Sequence, residues 1–178
     1  MTLPEVLTKA PVWLSLAGYA FGAATYSLSA GHRMWDAVAR SSWTVACAGM
    51  LVHIGSAFLF FDRWSIDVAY RETARQTAEV FGVNWGGGVY LNFFLAAAWV
   101  VDVIWWWRGL DSYRRRSKAV EVGWNVFLFV MFFNATVVFA SGVVRIVGLC
   151  VCAILCILWV IAFSRSTRSE EIRASADS

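Results

Sequence analysis

The stretch VRIVGLCVCAILCILWVIAF, residues 144–163, decides the fold class of this chain. Arg145 is its only charged residue, and a helix needs about 20 mostly apolar residues to cross a bilayer. Of all 178 residues, 60% are hydrophobic and 15% are charged, whereas soluble domains have roughly 45–50% and 25%. The composition therefore excludes a soluble enzyme, a nucleic-acid-binding protein and a disordered tail.

The same apolar pattern recurs along the chain and predicts an all-α, polytopic membrane protein with about five transmembrane helices. These helices form a single transmembrane domain, residues 1–178. The predicted spans are residues 12–30, 42–61, 88–107, 122–141 and 144–163. The first span is the least hydrophobic and is rich in small residues, which allow close helix packing. Gly142 and its neighbours alone separate the last two spans, which must therefore form a tight helical hairpin.

The one long loop, between the second and third spans, predicts an amphipathic helix over residues 65–82 on the outer membrane face. Ser65 can cap its N-terminus and Gly82 can end it. Apolar residues recur at helical spacing on one side, and opposite charges lie four residues apart on the other. Residues 164–178 are predicted to form a cytoplasmic tail.

The distribution of Lys and Arg predicts the orientation of the chain in the membrane. With the N-terminus outside and the C-terminus in the cytoplasm, ten basic residues lie on the cytoplasmic side and five outside. The run RRRSK, residues 114–118, contributes most to this asymmetry. We therefore expect a multi-pass protein of a bacterial-type inner (plasma) membrane.

Two polar residues lie at the centres of predicted spans, His53 in the second and Asn134 in the fourth. Counted from the cytoplasmic side, both lie on the order of 18 Å deep at 1.5 Å per residue. They can therefore meet at the midplane, with Asn134 orienting the imidazole. Such a pair can serve as a proton relay or a ligand contact, or simply as an interhelical hydrogen bond.

Asp102 is the only acidic residue inside a predicted span, five residues before the cytoplasmic end of the third. Asn125 should lie at similar depth in the fourth span and can hydrogen-bond the carboxylate. Arg40 and Arg108 are the alternative partners if the side chains reach towards the interface. Both a ligand-binding role and a purely structural one remain open.

The segment NWGGGVYLN, residues 84–92, is the most unusual in the chain. Three successive glycines before a membrane helix permit backbone geometry that other residues resist. Their N–H groups can bind an anion or a lipid headgroup, with Arg75 as an anion partner, or the segment is only a tight turn. Its candidate contact residues are Asn84, Gly86, Gly87, Gly88 and Asn92.

No catalytic motif is present, since neither a GxSxG nor an HExxH sequence occurs. Metal ligands do not cluster at one depth, and a haem held by two histidines needs a second intramembrane histidine besides His53. His32 lies at the cytoplasmic end. The sequence therefore predicts no metal and no cofactor, and it leans towards a protein that is not an enzyme.

The segments HIGSAFLFFDRW, YRETARQT, NWGGGVYLNFF and WVVDVIWWW, within residues 53–107, resemble those of small multipass bacterial membrane proteins with no assigned activity. The resemblance implies a membrane protein of this kind and no catalytic residue.

Three functions remain open. The first is a membrane accessory or scaffolding protein that acts through helix packing and an outer-face, Gly-rich contact with lipid or a partner. The second is a small homodimeric transporter or channel with a polar path at His53, Asn134 and Asp102. The third is a redox subunit that binds haem or quinone near His53. The expected partners are the lipid bilayer and a second copy or a membrane complex, with no nucleic acid.

Overall fold

A computed structural model describes residues 2–28 and 33–176, and every regular element in these residues is helical. The helices are α1 Leu3–Leu28, α2 Arg33–Phe60, α3 Ile66–Phe81, α4 Gly88–Arg108, α5 Leu110–Arg114, α6 Lys118–Phe133 and α7 Gly142–Ala176. A short π-helix, Asn134–Val138, continues α6. The predicted all-α class is confirmed.

Four helices of the described chain are long and apolar enough to cross a membrane, which confirms a multi-pass membrane protein. They cover Met34–Phe60, Gly88–Arg108, Lys118–Val138 and Gly142–Ala162. The first predicted span, 12–30, is helical as α1 up to Leu28, and residues 29–30 lie outside the described residues. Helix α1, which contains several hydroxyl-bearing and small side chains, is not among these four helices.

The first two helices make the most extensive helix pair of the structure. Small residues let their backbones approach closely, as expected for the first span. A Cβ atom on Gly49 of α2 would lie 2.8 Å from the carbonyl oxygen of Pro11 and 3.1 Å from the amide nitrogen of Ser15. Beyond this pair, α1 also contacts α7, and α2 contacts α4.

The amphipathic helix predicted over residues 65–82 is confirmed as α3. Ser65 caps it, its side chain accepting a hydrogen bond from the Val68 amide, and Gly82 ends it in the left-handed conformation at φ 71°. The buried face of α3 carries Ala69, Ala74 and Thr77, and the helix contacts α4. It therefore lies across one end of the bundle.

The last two spans form the predicted tight hairpin. Gly142 turns the chain at φ 59°, and the Nε of Arg145 donates to the carbonyl oxygens of Val137 and Ala140, both at 2.9 Å. These carbonyls end the π-helix and its following turn, so Arg145 satisfies groups that the helix leaves unpaired. Helix α7 continues to Ala176, so the predicted tail is helical up to that residue; 177–178 lie outside the described residues.

Candidate functional site

A cavity of about 610 Å³ lies beneath α3, between α1, α2, α4 and the π-helix that follows α6. On α4 its wall runs from Gly88 at the start of the helix to Trp99, which is a depth of roughly 16 Å at 1.5 Å per residue. On α3 it is lined by Thr73, Gln76, Thr77 and Phe81. The cavity therefore extends from the surface helix towards the middle of the bundle.

The wall of this cavity is mostly apolar, and the described residues that line it include no Asp, Glu, Lys or Arg. Many of its side chains are aromatic; these are Tyr19, Phe81, Trp85, Trp99, Phe132 and Phe139. Ligand sites for small molecules are typically 300–1,000 Å³ with apolar walls and a few polar groups. The dimensions and chemistry of the cavity fall within that description.

His53 lies on the α2 side of the cavity and is half-buried. Its Nδ1 lies 2.8 Å from the carbonyl oxygen of Thr8 in α1. Because a carbonyl oxygen only accepts, Nδ1 donates the proton in this bond. The cavity wall thus contains one imidazole whose Nδ1 is held by α1.

Asn134 begins the π-helix and lines the same cavity as His53, as their matched depths predicted. The two do not bond as expected: the amide Nδ2 of Asn134 donates to the carbonyl oxygen of Val130 at 2.8 Å, and Thr8 holds the imidazole instead. Single-turn π-helices occur frequently at functional sites. Here the π-helix places Asn134 and Ala135 on the wall.

The glycine run closes the loop onto α3 rather than supplying unusual backbone angles. A Cβ atom on Gly86 would lie 2.2 Å from the carbonyl oxygen of Tyr70, and one on Gly87 would lie 2.1 Å from the Trp85 ring. Among the described glycines, positive φ occurs at Gly82 and Gly142 and not in the run 86–88. The expectation that the run adopts backbone angles that other residues resist is therefore wrong. The run forms a tight turn in which a side chain at Gly86 or Gly87 would collide with Tyr70 or Trp85.

Two candidate contact residues of this segment, Gly88 and Asn92, line the cavity, and so do Trp85 and Leu91 of the same segment. Asn84 lies outside it, in a surface depression that it shares with Arg75. The segment therefore contributes to the cavity through Trp85 and its second half, whereas Gly86 and Gly87 do not line it.

Arg75 does not face the cavity as an anion partner. Its guanidinium pairs with Glu72 at 2.6 Å and with Glu79 on the exposed face of α3. The hydrogen bonds from Arg75 and Gln76 hold the pKa of Glu72 at about 2, so this carboxylate stays charged at neutral pH. The positive charge of Arg75 is thus neutralised within α3.

Asp102 belongs to a separate, buried polar cluster at the opposite end of α4. Its carboxylate accepts hydrogen bonds from Trp43 Nε1 at 2.8 Å, from the Tyr113 hydroxyl at 3.1 Å and from Arg116 Nη1 at 3.1 Å. The Arg116 side chain is only 3% exposed and stacks over the Tyr113 ring at 4.1 Å. Burial raises the pKa of Tyr113, which keeps this hydroxyl protonated as a donor.

The partners expected for Asp102 lie elsewhere. The amide of Asn125 donates to the carbonyl oxygen of Glu121, one turn back in α6, at 2.8 Å. The guanidinium of Arg40 stacks over the Trp107 ring at 4.1 Å. Depth suggested Asn125, and the reach of long side chains towards the interface suggested Arg40 and Arg108, whereas the partner in the structure is Arg116, which follows α5.

Among the cavity residues that the sequence analysis did not single out are three with buried, unpaired polar atoms, namely Ser15, Tyr19 and Trp99. They are 0%, 2% and 2% exposed, and their side-chain polar atoms are buried without a hydrogen-bond partner among the described residues. Buried polar groups are normally paired, so each unpaired one requires an explanation. For two of them the sequence does contain a signal: Ser15 and Tyr19 are four residues apart and therefore lie on one face of α1.

Compared with protein-family models, with curated proteins and with solved structures, the chain matches none of them.

Proposed function

We propose that this protein is a membrane accessory protein that binds one neutral, lipophilic molecule in the cavity beneath α3. The observation that carries the proposal is the cavity itself, about 610 Å³ with apolar and aromatic walls. A charged headgroup would lose its hydration there with no Lys or Arg among the described wall residues to pair with it, which is strongly unfavourable. The ligand would lie below the Gly-rich segment, which the sequence predicts to contact lipid or a partner on the outer face.

A transporter or channel with a polar path through His53, Asn134 and Asp102 receives less support from the geometry. His53 and Asn134 line the cavity, but two tryptophans separate it from Asp102. Trp99 forms part of the cavity wall, its ring lies 5.5 Å from that of Trp43, and Trp43 in turn bonds Asp102. A polar path would have to cross these packed rings.

We further propose that the protein lies in the inner (plasma) membrane of a bacterial-type cell with its N-terminus outside and its C-terminus inside, where α1, which packs along α2, makes a fifth crossing besides the four apolar helices. The excess of Lys and Arg on the assigned cytoplasmic side supports this orientation. A fluorescent protein that folds only in the cytoplasm should therefore be bright when fused after Ser178. A periplasm-active phosphatase fused there should be inactive, and the opposite pattern would contradict this orientation.

Filling the cavity tests the binding proposal. Ala135 lies on the cavity wall at the π-helix, and its replacement by tryptophan adds a large ring to the space. We expect native mass spectrometry of protein extracted with its membrane lipids to show one neutral adduct per wild-type chain. In Ala135→Trp, the fraction of chains with the adduct should fall at least about tenfold, since loss of roughly 1.4 kcal/mol already gives that factor.

Ala97→Trp is the matched control, because Ala97 is an exposed residue of α4 that does not line the cavity. This variant should keep the adduct. The proposal fails if Ala135→Trp retains as much adduct as the wild type while both variants are folded, or if the retained molecule is a charged phospholipid bound equally by all three.

A further inference from the structure

We infer that the bound molecule is an uncharged amphiphile with a single acyl chain, of the monoacylglycerol class. Its hydroxyl headgroup lies under α3, and its chain reaches the inner end of the cavity. This inference rests on the binding function proposed above and names the chemistry of its ligand.

The inner end of the cavity is an apolar floor made by the rings of Tyr19, Trp99 and Phe132, all of which line it. The ring of Tyr19 lies 5.3 Å from that of Phe132 and 6.3 Å from that of Trp99, measured between centroids. The Tyr19 hydroxyl and the Trp99 indole nitrogen are themselves buried, so these rings present carbon atoms to the open space. The floor therefore accommodates the end of an alkyl chain and offers a polar headgroup no partner.

The end of the cavity next to α3 is polar instead. Asn92 lies seven residues before Trp99 in α4, and His53 lies ten residues after Trp43 in α2, whose ring contacts that of Trp99. At 1.5 Å per residue, both are on the order of 10–15 Å nearer to α3 than the floor. Thr73 of α3 adds a hydroxyl to this end. The cavity therefore has the polarity of an amphiphile, polar under α3 and apolar at the floor.

The groups at the polar end favour an uncharged headgroup with hydroxyls. The described wall contains no Lys or Arg, and the imidazole of His53 already holds the Thr8 carbonyl through Nδ1. Asn92 is exposed, and its amide makes no hydrogen bond within the described residues. An amide both donates and accepts, and a hydroxyl does so as well. A hydroxyl headgroup therefore pairs with Asn92 without the cost of burying an anion.

The size of the cavity limits the ligand to one chain. Its volume is about 610 Å³. At roughly 30 Å³ for each water-sized group, such as a methylene, it holds about 20 of them. A myristoyl chain on glycerol has about that many non-hydrogen atoms, whereas a lipid with two such chains leaves the second one outside. The volume therefore selects a monoacylglycerol over a diacylglycerol.

The test compares four probes that share the myristoyl chain, in phosphatidylcholine nanodiscs without detergent, because detergents are themselves single-chain amphiphiles. The probes are 1-monomyristoylglycerol, methyl myristate without a hydroxyl, 1,2-dimyristoylglycerol with two chains, and myristate with a carboxylate. Binding is the fraction of protein that carries each probe in native mass spectrometry. Lipid tails are as apolar as the cavity floor, so the chain alone gains little on leaving the bilayer. We therefore expect the wild type to prefer monomyristoylglycerol over the methyl ester about tenfold, from its hydrogen bonds.

Asn92→Leu removes the amide at the polar end of the cavity. It should weaken binding of monomyristoylglycerol about 3–10-fold, the value of one hydrogen bond, and leave binding of methyl myristate unchanged. Asn84→Leu is the matched control, because Asn84 is also exposed and lies outside the cavity; it should bind all probes as the wild type does. A lower unfolding temperature of ligand-free Asn92→Leu than of Asn84→Leu would overturn the inference, since the amide would then serve the fold.

Leu16→Trp tests the position of the acyl chain. Leu16 lines the cavity one turn before Tyr19, and tryptophan exceeds leucine by about two methylene groups at roughly 30 Å³ each. The preferred monoacylglycerol should therefore change from the myristoyl to the lauroyl chain, while the preference over the methyl ester stays. Leu14→Trp is the matched control, because Leu14 is exposed and does not line the cavity. An unchanged chain preference in Leu16→Trp would contradict this position of the chain.

The remaining outcomes separate the two proposals. If methyl myristate or dimyristoylglycerol binds as tightly as monomyristoylglycerol, or if Asn92→Leu has no effect, the monoacylglycerol class is wrong while the binding function stands. If myristate binds most tightly, the ligand is an acid, which contradicts both the inference and the neutral charge of the proposed ligand. If no probe binds the wild type and no neutral adduct is retained from the membrane, the binding function itself fails.

Discussion

Asp102→Ala is expected to destabilise the protein by about 3–5 kcal/mol, the usual cost of removing one partner of a buried ion pair. The substitution leaves the Arg116 guanidinium, which is 3% exposed, without the carboxylate that accepts its hydrogen bond. Two further donors, Trp43 Nε1 and the Tyr113 hydroxyl, lose their acceptor as well. Thermal and denaturant unfolding in detergent, followed by tryptophan fluorescence, measures the loss.

Two further variants show whether the buried charge is the cause. In Asp102→Ala/Arg116→Met the unpaired charge is removed, so the double variant should be more stable than Asp102→Ala alone. Glu79→Ala is the exposed counterpart, since it breaks the surface pair with Arg75, and it should leave the unfolding transition nearly unchanged. Equal stabilities of Asp102→Ala and the wild type would show that the cluster does not hold α5 against α4.

The local elements of this fold could be predicted because their signals lie within a few neighbouring residues. Ser65 and Gly82 delimit α3 through capping geometry, and Gly142 sets the final hairpin through its positive φ. Depth counting also placed His53 and Asn134 at one level, and they do line one cavity. Depth could not supply the bond partner of His53, because Thr8 belongs to a helix whose rotation about its axis the sequence leaves open.

Long-range partners were missed where the chain reverses direction. The run RRRSK indicated only a topology signal, yet its members differ in role: Arg116 is buried on Asp102, and Arg114 pairs with Asp36. The five-residue helix α5 produces this difference by folding the run back against the bundle. Charge counting treats all basic residues alike and therefore cannot identify the buried one.

The three tryptophans 105–107 show the same limit. Tryptophans next to Arg108 at a span end are typical of an interfacial anchor, but Trp106 is only 2% exposed and stacks on Tyr113 at 4.6 Å. Trp107 is 53% exposed, with its Nε1 donating to the Thr44 hydroxyl at 2.9 Å. Successive helical residues point in directions about 100° apart, so a run of one residue type serves several environments.

Gly86→Ala is expected to destabilise the protein by about 2–3 kcal/mol, at the upper end of the cost of overpacking. The added methyl group would lie 2.2 Å from the carbonyl oxygen of Tyr70 and 2.7 Å from its ring. Ring rotation cannot relieve the contact with a backbone oxygen, so the loop must move away from α3. Because α3 forms part of the cavity wall through Thr73 and Thr77, retention of the proposed ligand should fall together with stability.

Gly55→Ala is the matched control, because a Cβ atom there meets nothing within 4 Å and Gly55 lies inside α2. Alanine is the better helix former by roughly 1 kcal/mol, so this variant should be as stable as the wild type or more so and should keep its ligand. In Gly86→Ala/Tyr70→Ala the ring contact is gone while the backbone contact stays, so the double variant should remain destabilised. Full recovery of stability there would assign the clash to the ring alone, and the loop would then not need to leave α3.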